Sequence, residues 1–129
     1  MIKFILSPGQ IVDSELSLVG GKAMSLAKMS LADFRVPLSI IITTWGYSQF
    51  LDQTGLRQRI ILELERKPFE EMRWEELWDS SLRLRNLFAI THMPGQLEHG
   101  IANAIDLTFG DRIVVVRSSS PSEDSSLQA

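Results

Sequence analysis

The apolar positions of the chain change period along its length, and each change marks an element. Ile2 to Leu6 is a short apolar run closed by Ser7-Pro8-Gly9, which predicts a strand entering a turn. From Lys22 onward Met24, Leu26, Ala27, Met29 and Leu31 recur close to one helical stripe. Pro37 keeps Val36 extended in the connector that follows, and Ile40 to Thr44 are β-branched in unbroken succession, so a strand covered on both faces is expected there. Thr44 is placed to cap a helix carrying Tyr47, Phe50 and Leu51, with Gly55 as its stop.

Leu56, Ile60, Ile61 and Leu64 describe a second amphipathic helix that ends before Pro68. Phe69 to Ile90 is the longest helical candidate. Its acids (Glu70, Glu71, Glu75, Glu76) come early and its bases (Arg83, Arg85) late, as the helix dipole prefers. Trp45, Trp74 and Trp78 are expected in or near the core. After Met93-Pro94-Gly95, the stripe of Leu97, Ile101, Ala104 and Ile105 predicts a helix from Gln96 to Phe109, closed by Gly110. Ile113 to Val116 then reads as a strand that delivers Arg117 at its end, and a polar serine-rich segment follows.

This pattern predicts an α+β fold: a small sheet with strands near Ile2, Ile40 and Ile113, covered by several helices. Residues 1–117 are expected to form one unit and residues 118–129 the polar start of a loop. With 129 residues and 44% hydrophobic side chains the chain can bury one core. A net charge of −3 lacks the basic face that a nucleic-acid partner would need. The absence of cysteine excludes disulfides, thiolate metal sites and cysteine nucleophiles, and fits a cytoplasmic location. The first apolar run is too short for a secretory signal and no run suffices to span a membrane, so no membrane partner is expected.

Candidate chemistry begins at Gly20-Gly21-Lys22. Paired glycines let the backbone approach a ligand closely, and the helix behind them offers unpaired N–H groups and a positive dipole end to an anion. Lys22 in the first turn opposes that dipole, which an anion nearby would offset. The Glu70-Glu71-Glu75-Glu76 run reads as a solvated helix face, and His92 and His99 stand apart from other ligand types, so no metal site is expected.

Val19-Gly20-Gly21-Lys22-x-x-x-Leu26, Val36-Pro37, Ile42-Thr43-Thr44 with Tyr47 and Phe50-Leu51, and Val116-Arg117-Ser118-Ser119-Ser120-x-x-Glu123-Asp124 together resemble the amino-terminal part of the pyruvate phosphate dikinase and phosphoenolpyruvate synthase family. Rifampin phosphotransferases and glucan and pyruvate water dikinases carry the same module. The resemblance implies part of an ATP-grasp-like nucleotide-binding domain in an ATP-dependent phosphotransferase. By motif, contacts to nucleotide phosphates fall on Gly20, Gly21, Lys22 and Arg117, with Ser118 and Ser119 orienting Arg117 or its loop.

Lys22 supplies a flexible point charge, whereas Arg117 supplies a planar fork that stabilises charge on a departing phosphoryl group. The resemblance implies ATP as cofactor, with Mg²⁺ held by carboxylates outside this chain and the rest of the nucleotide-binding domain as a partner. A departure from the family pattern is Leu38-Ser39-Ile40, which stands where the family usually has Pro-Gly-Phe. The chain alone is expected to be an inactive part of a longer enzyme, with self-association through exposed apolar surface. The alternative is a stand-alone interaction or regulatory module that keeps the fold without the chemistry. If the nucleotide reading holds, Lys22 and Arg117 must meet at one cleft.

Overall fold

The structure, a computed structural model, describes residues 4–11 and 16–122. It is α+β: the described residues form five α-helices and a two-stranded sheet. The chain divides into two compact units, Met1–Tyr47 with Gln96–Ala129, and Ser48–Gly95.

In the first unit β1 (Ile5–Leu6) pairs antiparallel with β2 (Ile41–Ile42), Ile5 opposite Ile42 and Leu6 opposite Ile41. The Thr43 N–H donates to the Phe4 carbonyl at 2.9 Å and extends the pairing. A 3-10 turn at Pro8–Gln10 follows β1, stabilised by the Ser7 N–H donating to Gln10 Oε1 at 3.0 Å. Helix α1 (Leu16–Leu31) then lays Val19, Ala23, Met24 and Ala27 against Leu6, Ile11 and Ile41. These residues form the core of the unit. Met29 is exposed because it lies about 200° around the helix from Ala27. Asp33, at φ 59°, closes α1 in the left-handed conformation, with the Phe34 N–H donating to the Met29 carbonyl.

Helix α2 (Thr44–Gln53) begins in this unit, and α5 (Gly95–Phe109) lies almost wholly within it. Their meeting point is Phe4. Its ring faces Trp45 at 6.5 Å between centroids and presses on Gly100 of α5, where a Cβ would overlap it. Only glycine permits that approach.

In the second unit α3 (Leu56–Leu64) packs on α4 (Trp74–Ile90), and Leu56 is completely buried. Glu63 ties the pair together: it accepts from Arg83 Nε at 2.6 Å, from Ser80 Oγ at 3.3 Å and from Arg66 at 3.3 Å. Lys67 bridges to Glu76 at 2.9 Å, and Phe50 stacks on Phe88 with centroids 6.2 Å apart.

Besides β2, which is covered on one face only, Ile42 being 51% exposed, and not on both as expected, the observed elements differ from expectation in four places. The predicted helix from Phe69 is broken into a 3-10 turn, Phe69–Glu71, and α4, because the Glu76 carboxylate reaches back to the Arg73 N–H at 2.8 Å and fixes a new start. The cap of α2 is Thr43 rather than Thr44: Thr43 Oγ1 accepts from the Gly46 N–H at 3.3 Å. Trp74 and Trp78 are on the surface at 70% and 61% exposure, since α3 covers the opposite side of α4.

The fourth difference is at Ile113–Val116, which joins no strand among the described residues and leaves Ile113, Val115 and Val116 almost fully exposed. β-Propensity expresses fit to a neighbouring strand, and the described residues supply none. Glu123, Asp124 and the rest of residues 123–129 lie outside the described residues, as do Ile2 and Lys3 of the first expected strand. Among the described residues no helix is long and apolar enough to cross a membrane.

Candidate functional site

Helix α1 is not continuous. At Gly20 the backbone takes φ 80°, ψ 169°, so the turn from Leu16 to Val19 is separate from the helix that starts at Gly21. That conformation is open to glycine and strained for other residues. Gly21 and Lys22 therefore stand in a first helical turn, where backbone N–H groups have no helical acceptor and the dipole is positive.

The segment after Ile113–Val116 crosses this break. Ser119 Oγ donates to the Val19 carbonyl at 3.0 Å, and Lys22 Nζ donates to the Ser118 carbonyl at 3.3 Å. A Cβ on Gly20 would stand 2.6 Å from Ser119 Oγ and 3.0 Å from the backbone N and C of Ser120. Glycine at position 20 thus serves two needs together: the backbone angle and the close passage of residues 119–120. From the other side Thr44 Oγ1 donates to the Ser17 carbonyl at 3.1 Å, joining the start of α2 to the turn before the break.

Of the residues singled out from sequence, the structure brings Gly20, Lys22, Ser118 and Ser119 together, with Gly21 between the first two. Arg117 is exposed and covalently next to Ser118, and its guanidinium makes no hydrogen bond or ion pair among the described residues. Two contributors went unassigned in the sequence. Ser120, whose backbone passes close to Gly20, and Thr44, whose hydroxyl holds the Ser17 carbonyl, position the break; the signals for Thr44 were its place as a helix cap and in the Ile-Thr-Thr motif. Among the described residues no group of three or more His, Asp or Glu is arranged to hold a metal ion.

A broken helix start with a lysine in its first turn, crossed by a serine strap that follows an arginine, is an arrangement able to receive a polyanion. The class is that of nucleotide-binding modules. The chain belongs to the pyruvate phosphate dikinase, AMP/ATP-binding domain family, whose model matches residues 16–129. It is similar to the rifampicin phosphotransferase of Bacillus cereus, 27% identical over 96% of this chain and 14% of that protein. It is also similar to the phosphoenolpyruvate synthase of Aeropyrum pernix, 34% identical over 95% of this chain and 15% of that protein. The probable phosphoenolpyruvate synthase of Methanocaldococcus jannaschii is 29% identical over 95% of this chain and 11% of its own length. The chain thus spans about a seventh of the length of the first of these relatives. This kinship favours a nucleotide-binding module over a stand-alone interaction module.

Proposed function

We propose that the start of the Gly21–Leu31 helix and the strap of residues 117–120 form the phosphate-binding part of an ATP site, serving a larger enzyme that transfers a phosphoryl group from ATP. The observation that supports this reading is the meeting of two motifs far apart in sequence: Lys22 with Ser118, and Val19 with Ser119. In the proposed roles Lys22 and the backbone N–H groups of the first turn hold phosphate oxygens. Arg117 closes from the strap with a two-pronged grip. Ser118 and Ser119 fix the strap through their contacts to Lys22 and Val19. Gly20 and Gly21 keep the approach to the helix start clear of side chains.

Binding of ATP brings its terminal phosphoryl group, and this chain's residues would stabilise the charge that spreads over its oxygens as it leaves. Mg²⁺ would be held by the nucleotide and by groups other than the described residues. On this reading the isolated chain binds ATP weakly and transfers nothing. The test is an amide-resolved titration of the ¹⁵N-labelled chain with Mg-ATP. Shifts concentrated at residues 20–23 and 117–120, lost in Lys22→Ala, are expected. Saturating nucleotide that leaves both stretches unmoved overturns the proposal.

A further inference from the structure

Helix α4 carries a surface that the proposed nucleotide site does not use. Its buried side bears Ser80, with Leu84 and Leu87 half-buried beside it, and faces α3. Its outward side bears Trp74 and Trp78, whose rings stack at 5.5 Å with an 18° tilt, and Leu82, which is 51% exposed. At about 100° per residue, Trp74 and Leu82 lie roughly 40° to either side of Trp78, Arg85 about 20° from it and Glu75 about 60°. All five therefore share one face. Stacked exposed tryptophans are the side chains that most often anchor a contact, and an apolar stripe of this kind marks an interface.

The charges on that face identify the occupant. Glu75 and Arg85 are both exposed and neither makes an ion pair among the described residues. They are about 15 Å apart along the helix, too far to pair with each other. An antiparallel second copy of α4, related by a two-fold axis at the level of Ser80, puts Glu75 of each copy opposite Arg85 of the other. The same operation sets Trp78 against Leu82 twice, so the apolar and charged matches coincide in one register. A parallel alignment would instead oppose like charges. Self-complementarity under a two-fold is what an isologous dimer requires.

We propose that the outward face of α4 is the contact surface of a homodimer, with Trp74, Trp78 and Leu82 at its centre and reciprocal Glu75–Arg85 ion pairs at its ends. Sedimentation velocity on the 129-residue chain tests it. The expectation is a reversible dimer at about 100 μM. Both Glu75→Arg and Arg85→Glu should weaken it at least about tenfold, and the double exchange E75R/R85E should restore it to within about threefold of the original. Circular dichroism of the variants checks that α4 is intact, which these exposed positions should allow. A chain monomeric throughout that range overturns the proposal. So does a dimer indifferent to either single exchange, which would place the contact elsewhere, such as at Ile113–Val116, and so does failure of the double exchange to rescue.

Discussion

Replacing Gly20 by alanine perturbs one atom at the point where the helix break and the strap meet. Two separate costs are involved. A φ of 80° with ψ 169° strains any residue with a Cβ by about 1–3 kcal/mol. The new methyl would also stand 2.6 Å from Ser119 Oγ and 3.0 Å from the Ser120 backbone, so the strap has to move and the Ser119–Val19 hydrogen bond is lost. That bond contributes about 0.5–1.5 kcal/mol.

Together Gly20→Ala should destabilise the first unit by roughly 2–4 kcal/mol. Gly55 is the control, because its φ is also positive, 70°, but nothing stands within 4 Å of its added Cβ. Gly55→Ala should therefore cost only about 1–2 kcal/mol of backbone strain. Urea denaturation followed by amide signals in α1 for the first variant and in α3 for the second measures both. Strap amides at Ser119 and Ser120 should exchange faster in Gly20→Ala alone. Equal losses for the two variants, with unchanged exchange in the strap, would refute the claim that residues 119–120 press on Gly20.

Further outcomes follow from other parts of the molecule. Lys22→Ala and Arg117→Ala should each lower ATP affinity about tenfold or more while leaving the melting temperature of the chain nearly unchanged, as read by calorimetric titration and thermal denaturation. Gly100→Ala should displace the Phe4 ring and alter Trp45 fluorescence, which a variant retaining the Trp74 and Trp78 signals as references would reveal.

Hydrogen bonding from Arg83, with Arg66 beside it, holds the Glu63 carboxyl below its ordinary value, and the Arg73 N–H and Lys67 do the same for Glu76. A depressed folded value means that their stabilisation is complete above the ordinary glutamate value of about 4.3 and is lost as pH falls through the lower folded value. The second unit should thus weaken on acidification, and Glu63→Gln should flatten the dependence; stability that rises toward acid would contradict it. Val115→Lys, at an 83% exposed position, should raise solubility without lowering the melting temperature.

The helices were readable because burial on one side imposes a period on the sequence. The stops at Gly55, Pro68 and Gly110 carry their own backbone chemistry. What the sequence withheld depends on partners distant along the chain. Ile113–Val116 has the composition of a strand, yet pairing needs a neighbour that composition does not name. Trp74 and Trp78 are apolar, but whether they face inward is decided by which side of α4 receives α3. The cap of α2 moved by one residue because Thr43 is held by the Phe4 carbonyl at the end of β2. At the site, Gly-Gly-Lys and Arg-Ser-Ser were visible as motifs. The bonds that join them, Lys22 to Ser118 and Ser119 to Val19, are tertiary and have no period to betray them, and the same holds for the Thr44–Ser17 bond beside them.

The central claim is that Lys22 and Arg117 serve one triphosphate. An acyl-phosphate derivative of ATP, which transfers its acyl group to an amine lying beside the bound phosphates, tests it by mass spectrometry. The account predicts that Lys22 is acylated in preference to Lys28 on the same helix, that excess ATP suppresses the reaction, and that Arg117→Ala abolishes the preference. Equal modification of Lys22 and Lys28, unaffected by ATP and by the loss of Arg117, would contradict it.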